Sequence, residues 1–227
     1  MEAIEITFRL GSNILVDSEH PVHLDALVAY GVMREAEIQG CDDPWRAADD
    51  LSECLDRTDG DPWVWKASRL DMPARLSGMG VFQMTNMVRK SEPERFYDAL
   101  DAGDWESQRQ IRGSFTIDTQ SGQYRGYQWY AISRSVPEVK AWAIGDYDAL
   151  EYYLRHVTHI GKMGRNGYGN VTGIELAACV DTEAWRLRCL PTDMAGKPGV
   201  RYEAAYGCLR PPYWRKTRQE VVREPMV

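Results

Sequence analysis

Four glycines within nine residues, from Gly161 to Gly169, constrain this chain more than any other stretch. Lys162, Arg165 and Tyr168 lie among them, a helical pattern precedes the stretch, and a strand pattern follows it. Glycine permits positive φ and a close approach of the backbone to a ligand, and successive backbone N–H groups in such a loop can cradle an anion. Two cations and an aromatic ring beside those groups favour a phosphodiester chain over a lone small anion.

Composition alone leaves a second interpretation open for this stretch, because glycine clusters also form tight turns and surface lysines and arginines are common. The stretch is not a Walker loop, since the pattern G-x-x-x-x-G-K-[ST] is absent. A dinucleotide-binding loop follows a strand and opens a helix, which is the reverse of the order found here.

Charge is divided unevenly along the chain. The net charge is −7, which argues against an indiscriminate nucleic-acid binder. Residues 1–61 hold 15 acidic and 4 basic residues, whereas residues 62–227 hold 19 acidic and 23 basic residues. This asymmetry predicts one acidic face and one basic face, and a basic face favours a phosphate-bearing partner.

Several classes of protein are disfavoured by what the sequence lacks. The cysteines form no C-x-x-C pair, so neither a zinc site nor any other metal site is readable, and no cofactor is expected. The first residues do not resemble an export signal, and no stretch approaches the roughly 18 apolar residues of a membrane span. The odd cysteine count adds to an expectation of a reducing, cytoplasmic setting; the five are Cys41, Cys54, Cys179, Cys189 and Cys208.

Hydrophobic periodicity predicts a mixed order of strands and helices. The predicted strands cover 3–10, 63–70, 79–88, 111–117, 124–132, 138–144 and 171–180, and the predicted helices cover 23–32, 93–102 and 146–156. Without insertions the order is β-α-β-β-α-β, which is a ferredoxin-like unit of the α+β class. Its four-stranded sheet is a common RNA-binding architecture (RRM-like). The aromatic signature of an ordinary RRM is absent, so the fold does not settle the function.

Two strands of this pattern carry candidate RNA contacts. In the predicted hairpin, Arg125, Tyr127 and Trp129 are spaced by two and share one face, which suits a nucleic-acid platform. Cross-strand packing pairs are the alternative for Tyr127 and Trp129. The predicted strand 63–70 adds Lys66 and Arg69 to the expected basic contacts.

Residues 40–62 form a distinct acidic insertion, with eight acidic and two basic residues between positions 42 and 61. A short amphipathic helix over 45–57 is predicted, with Trp45, Leu51 and Leu55 directed inward. The carboxylates show no regular ligand spacing, so we interpret them as a solvated charged face rather than a metal site.

The tail, residues 208–227, is basic: from Cys208 to Arg223 it holds five bases and one acid. Trp214 and Arg215 lie within it and are candidate RNA contacts. The residues leave three roles open for the tail, namely binding RNA, binding a neighbouring subunit, or covering the sheet.

Three stretches resemble one known family. The predicted helix followed by Gly161 to Val171 resembles the glycine-rich loop of the RAMP superfamily of CRISPR proteins. Ile4 to Leu10, followed by His23 to Leu27, resembles the first strand and helix of that superfamily. The tail from Leu209 to Trp214 resembles the handle-binding, Cas-five-like subunit of type IV CRISPR effectors.

The resemblance implies a single RAMP-type domain over 1–227 and a non-catalytic role in antiviral defence. Such a subunit binds and caps the five-prime handle of the CRISPR RNA in a ribonucleoprotein effector, and a hairpin thumb, here about 111–132, reaches the backbone filament subunit. Further implied partners are the large subunit and, indirectly, target DNA, with no membrane. The loop residues that would contact or shape the RNA path are Gly161, Lys162, Arg165, Gly167, Tyr168 and Gly169. The acidic insertion 40–62 lies outside the family pattern.

The residues leave two alternative functions open. Some relatives cut repeat RNA, and metal-independent cleavage needs a base near the 2′-OH and a cation for the developing charge. His156, His159, Lys162 and Tyr30 are the available groups, but a histidine at a helix end also serves as a cap. Because no catalytic constellation is readable, binding is favoured over cutting and no catalytic residue is assigned. The second alternative is a protein-only scaffold.

Overall fold

The computed structural model describes residues 1–16, 21–72, 78–85 and 128–226, and describes side chains over 1–16, 21–72 and 133–226. The chain divides into two compact units, Met1–Gly80 with Ile132–Val227, and Val81–Ala131. The described helices are α1 (Leu24–Ile38), α2 (Pro44–Ala47) and α3 (Tyr147–Leu154). The described strands are β1 (Glu2–Leu10), β2 (Ile14–Val16), β3 (Gly78–Thr85), β4 (Gln128–Ser135), β5 (Glu138–Gly145), β6 (Val171–Ala178), β7 (Tyr202–Gly207) and β8 (Glu220–Pro225).

The larger unit is built on an antiparallel sheet with the strand order β5-β1-β6. The alternation predicted for β1 is confirmed, because Ile4, Ile6 and Phe8 are fully buried on one face. Each such side chain contributes about 1.5–3 kcal/mol to stability when it leaves water. Together with α1 and α3 this sheet confirms the predicted α+β class.

α1 and α3 cover the buried face of this sheet. Leu24 and Val28 of α1 and Leu150 and Leu154 of α3 belong to the same core as the β1 side chains. Asp146 is the N-cap of α3, and its carboxylate accepts the Ala149 N–H at 2.9 Å.

A glycine of α1 sets how closely the two helices approach. A Cβ on Gly31 would lie 2.3 Å from the carbonyl oxygen of Tyr153, so only glycine fits at this contact. The close packing of α1 against α3 therefore depends on Gly31, and hydrophobic periodicity alone does not reveal this role.

The predicted strand 63–70 is replaced by an irregular edge segment along β5. Isolated antiparallel bridges join Ala67 to Ala143 and Asp71 to Lys140. Between them the hydroxyl of Ser68 accepts the Trp142 N–H at 2.9 Å, a place where a regular ladder would use a backbone carbonyl. The segment therefore extends the sheet beyond β5 without forming a continuous strand.

The helix predicted over 45–57 is wrong in length, and one of its three predicted inward side chains is exposed. α2 covers only Pro44–Ala47, capped by the Asp43 carboxylate, and Trp45 is 73% exposed. Leu51 and Leu55 are buried as predicted, but in the main core rather than under a separate helix. Leu55 forms an isolated antiparallel bridge with Gly145 at the end of β5. A residue paired in this way is not part of a helix.

The C-terminal region forms a second, smaller core on the same unit. β7 pairs antiparallel with β8, and Leu190 forms a bridge to Arg223 of β8. Leu190, Leu209 and Val222 are buried with Val64, and Ile144 of β5 packs against this group. Part of the tail therefore covers the sheet, which was one of its three predicted roles.

A further sheet has the order β2-β4-β3. β3 agrees with the strand predicted over 79–88 as far as Thr85, and β4 covers the end of the second predicted hairpin arm. The rest of that hairpin, from 111 to 127, and the helix predicted over 93–102 lie outside the described residues.

Candidate nucleic-acid interface

The glycine-rich stretch is a loop between α3 and β6 that needs glycine at two close approaches. Gly161 has φ of 87° and Gly169 has φ of 63°. A Cβ on Gly161 would lie 2.5 Å from the carbonyl oxygen of Leu15, and a Cβ on Gly169 would lie 1.8 Å from that of Ile160. Both glycines are therefore required for the loop to fold against its neighbours, whatever it binds.

The loop is fastened to β2 by backbone hydrogen bonds. The Lys162 N–H donates to Leu15 O at 2.8 Å, and the Gly169 N–H donates to Asn13 O at 2.7 Å. On its other side β2 pairs with β4, with Leu15 opposite Ser133, and the Asn13 amide donates to the Ser133 hydroxyl at 3.1 Å. The backbone of the loop is thus fixed by the fold before any ligand arrives.

These hydrogen bonds leave the loop side chains, rather than its amides, as the main means of contacting a ligand. The N–H groups that donate to carbonyls within the protein are those of Ile160, Lys162, Asn166, Gly167, Tyr168 and Gly169. They cannot donate to an anion at the same time. The side chains of Lys162 and Arg165 are exposed, and that of Tyr168 is half-buried. A Cβ on Gly167, which has φ of 84°, would meet no atom within 4 Å, so this glycine lies in the open part of the loop.

Lys66 and Arg69 lie away from this loop. They belong to the segment outside β5, whereas the loop leads into β6 at the opposite edge of the sheet. The Lys66 ammonium lies 2.6 Å from an Asp56 oxygen, and this hydrogen bond lowers the pKa of Asp56. Arg69 lies 3.4 Å from Glu224 with a side chain that is 16% exposed. The structure therefore does not bring these two cations together with Lys162 and Arg165.

The two candidate RNA contacts of the tail lie in the connection between β7 and β8. Trp214 is 74% exposed and Arg215 is also exposed. Of the hairpin candidates, Arg125 and Tyr127 lie outside the described residues, and Trp129 lies in β4.

Tyr213, next to Trp214, belongs instead to a buried polar network. Its hydroxyl lies 2.7 Å and 2.8 Å from the two Asp25 carboxylate oxygens and accepts a hydrogen bond from Arg188 at 2.7 Å. The Tyr213 ring stacks on His23 with centroids 4.1 Å apart. Burial raises the pKa of Tyr213 well above its usual range and lowers that of His23 well below it.

Arg188 is the centre of this network and was not singled out from the sequence. It is fully buried and donates to Asp25 and to the backbone carbonyls of Trp65, Ala67, Leu209 and Cys189. Burial raises the pKa of Asp25 and the charge of Arg188 opposes that rise. No local pattern signals such a role, because the partners of Arg188 come from three distant stretches of the chain.

The candidate general base His156 is engaged with α1. Its Nε2 lies 2.8 Å from a carboxylate oxygen of Glu35, and the same carboxylate receives hydrogen bonds from Tyr152 at 2.7 Å and from Arg155 at 3.0 Å. The hydrogen bond from Tyr152 is the main cause that lowers the pKa of Glu35 to about 2, with Gln39, His156 and Arg155 adding to it.

The other candidate histidine, His159, lies at the base of the glycine loop. It is exposed, bridges Asn170 through the backbone, and packs against Gly164, where a Cβ would lie 2.9 Å from the His159 Cβ. Tyr30 is 42% exposed on α1. Of the four groups considered for cleavage, two therefore lie with α1 and two lie with the glycine-rich loop.

The described residues contain neither a metal-type cluster of side chains nor a helix able to span a membrane. No three His, Cys, Asp or Glu side chains in that part of the chain are grouped as a metal site requires. No described helix has the length and apolar character needed to cross a bilayer.

Comparison with known proteins assigns a family. The family model described as CRISPR type IV associated protein Csf3 matches residues 2–225. A search of the curated proteins found no match. Because the family match covers nearly the whole chain, the chain belongs to this family of type IV CRISPR-associated proteins, and the type IV resemblance of its sequence is confirmed.

Proposed function

We propose that this type IV CRISPR-associated chain is a non-catalytic RNA-binding subunit of a CRISPR ribonucleoprotein effector, where it caps the five-prime handle of the CRISPR RNA and contacts the backbone subunit. One observation carries this proposal: Lys162 and Arg165 are exposed on a loop whose backbone is fastened to β2. Cations on a preorganised loop bind phosphates without first losing backbone entropy.

The arrangement of the sheet supports a ferredoxin-like, RAMP-type domain. The order from one edge to the other is the segment 65–71, β5, β1 and β6, and every described pairing is antiparallel. A β-α-β-β-α-β chain that places its first and third strands at the centre has this order. α1 and α3 lie on one face of it, as that chain requires.

The charges on the other face of the sheet favour the loop as the RNA path. Glu5 and Lys140 form an ion pair at 2.7 Å, and Arg9 and Glu175 form another at 2.7 Å. Because these cations are paired with carboxylates, the face has little positive charge to offer phosphates. The exposed Trp214 and Arg215 of the tail supply a stacking group and a further cation.

The proposal is tested by replacing the loop cations. Lys162→Ala and Arg165→Ala are expected to weaken binding of CRISPR RNA and to reduce the slope of log affinity against log salt by roughly one per charge removed. The matched control is Arg201→Ala, because Arg201 is an exposed cation of the C-terminal region that pairs with Glu203. Loop variants that bind like the parent at every salt concentration would show that the loop does not contact the RNA.

One observation favours cleavage of repeat RNA as the second candidate function. His159 is exposed at the base of the same loop that carries Lys162, so a base and a cation are available near a bound backbone. This function predicts cleavage of repeat RNA in EDTA that His159→Ala abolishes, whereas intact repeat RNA under those conditions favours the binding role. Isolation of the subunit with no RNA affinity would instead favour the scaffold role.

A further inference from the structure

A cleft of about 380 Å³ lies between the acidic insertion, the segment that begins at Trp63, and the tail. This volume falls within the roughly 300–1,000 Å³ typical of small-ligand pockets. Its lining includes one aromatic ring and two arginines, Trp63, Arg210 and Arg218, together with two carboxylates, Asp49 and Glu220. None of these five residues was a candidate from the sequence, since they come from three separate stretches.

The two arginines of the cleft are held in place by contacts within the protein. The Arg210 guanidinium carbon lies 4.0 Å from a ring centroid of Trp63, and that of Arg57 lies 5.2 Å from it. Arg218 donates to the carbonyl oxygen of Pro211 at 2.8 Å, which holds it against another wall of the cleft. Planar aromatic and guanidinium groups of this kind are the surfaces on which unpaired bases of single-stranded RNA stack.

The mixture of arginine and carboxylate side chains in the cleft limits the kind of ligand that it can bind. Two arginines accompany two carboxylates, so the cleft offers hydrogen-bond donors and acceptors together. Guanine presents two acceptors, O6 and N7, to which arginine donates. Its N1–H and 2-amino groups are donors suited to a carboxylate. Uracil lacks an amino group, so it offers the carboxylates one N–H donor group where guanine offers two and makes fewer hydrogen bonds in the cleft.

From these contacts we infer that the cleft binds one unpaired guanine of a single-stranded RNA, with the base stacked on the Arg210 guanidinium, which itself lies over Trp63, and with its edge read by Arg218, Asp49 and Glu220. The inference rests on the proposed RNA-binding function and adds a base-specific subsite outside the glycine loop. Asp49 also gives the acidic insertion 40–62 a role in recognition.

The test uses the full chain and short single-stranded RNAs. Binding of a labelled oligouridine with one central guanine is compared with binding of the all-uridine oligonucleotide and of one with inosine, which lacks the 2-amino group. We expect the guanine oligonucleotide to bind at least about fivefold more tightly than all-uridine, as base-edge contacts allow, with inosine between them. The inosine arm leaves the protein unchanged, so it does not depend on the folding of a variant.

A double variant then assigns the preference to the cleft. Asp49→Asn with Glu220→Gln is expected to remove the guanine preference while all-uridine binding persists, because both residues are exposed and the loop cations are intact. Equal affinities of the parent for guanine and uridine oligonucleotides would overturn the cleft assignment and leave RNA binding by the loop standing. Binding of no RNA by the parent would overturn both, and a guanine preference that survives the double variant would overturn the cleft assignment alone.

Discussion

The guanidinium of Arg188 lies 3.2 Å from the carboxylate of Asp25, and neither side chain is exposed to solvent. Asp25 stands in the first turn of α1, and Arg188 precedes the C-terminal hairpin of β7 and β8. The pair therefore joins the first helix to the region that carries the basic tail. Because Arg188 also donates to backbone carbonyls, that of Leu209 among them, the tail is anchored in the core of the larger unit.

Loss of Arg188 is expected to destabilise the protein severely. Arg188→Met leaves the Asp25 carboxylate buried without its cation, and breaking a buried pair in this way costs about 3–5 kcal/mol. The free energy of unfolding, measured by urea denaturation, is the quantity to compare with the parent.

A double variant separates the effect of losing the ion pair from the effect of losing the packing of the Arg188 side chain. Asp25→Asn combined with Arg188→Met leaves no unpaired carboxylate, so it is expected to lose less stability than Arg188→Met alone. The free energy of unfolding is also measured for Asp25→Asn alone. If the loss in the double variant equals the sum of the losses in the two single variants, the two residues are not coupled and this account of the pair is wrong.

Tyr213 and Trp214 are adjacent in the chain but are expected to respond in opposite ways. Tyr213→Phe keeps the ring that stacks on His23 and removes a hydroxyl bonded to Asp25 and Arg188, so it should cost about 1.5–3 kcal/mol. Trp214→Ala should change stability little, because Trp214 is 74% exposed, and should weaken RNA binding. Thermal unfolding and RNA titration of both variants measure the difference.

Two glycines of the loop provide a matched pair of substitutions. Gly167→Ala meets open space at φ of 84° and is expected to cost about 1–2 kcal/mol for the left-handed conformation alone. Gly169→Ala adds a clash with the Ile160 carbonyl oxygen, 1.8 Å from the new Cβ, and is expected to cost about 3 kcal/mol or more. Equal urea midpoints for the two variants would show that the loop does not pack as described.

The Glu35 cluster predicts a loss of stability in acid. Hydrogen bonds, chiefly from Tyr152, lower the pKa of Glu35 to about 2 from its usual value of 4.5. A depressed carboxylate pKa contributes stability that is fully present above the unfolded pKa and is lost as pH falls through the folded pKa.

Comparison of the parent with Glu35→Gln isolates this contribution. The parent should be the more stable at neutral pH, and the difference in free energy of unfolding should shrink as pH falls from about 5 towards about 2. A difference that stays constant over that range would show that the charge of Glu35 is not stabilised in the folded protein.

Local patterns predicted the parts of the fold whose signals lie in short windows. Hydrophobic periodicity identified β1, β5 and β6, and helical spacing identified α1 and α3. The segment 63–70 and the acidic insertion were less well predicted, because pairing with β5 overrides their local preferences through Ser68 and Leu55.

The candidate RNA-binding site was likewise predicted only in part. Glycine spacing identified the loop and its exposed cations, but no local pattern reveals that most loop amides donate within the protein. Lys66 and Arg69 stay predicted RNA contacts, and the sequence did not reveal that each has a carboxylate partner contributed by a different stretch. Arg210 and Trp63 form a contact that only the folded chain brings together.

The most direct test of the central claim is to purify the protein from cells that express its neighbouring genes and a CRISPR array, and to sequence the bound RNA. The proposal predicts small RNAs that share one defined five-prime end, and their loss when Lys162 and Arg165 are both replaced by alanine. An intact protein complex that contains no RNA would contradict the proposal and would leave the glycine loop as a structural turn.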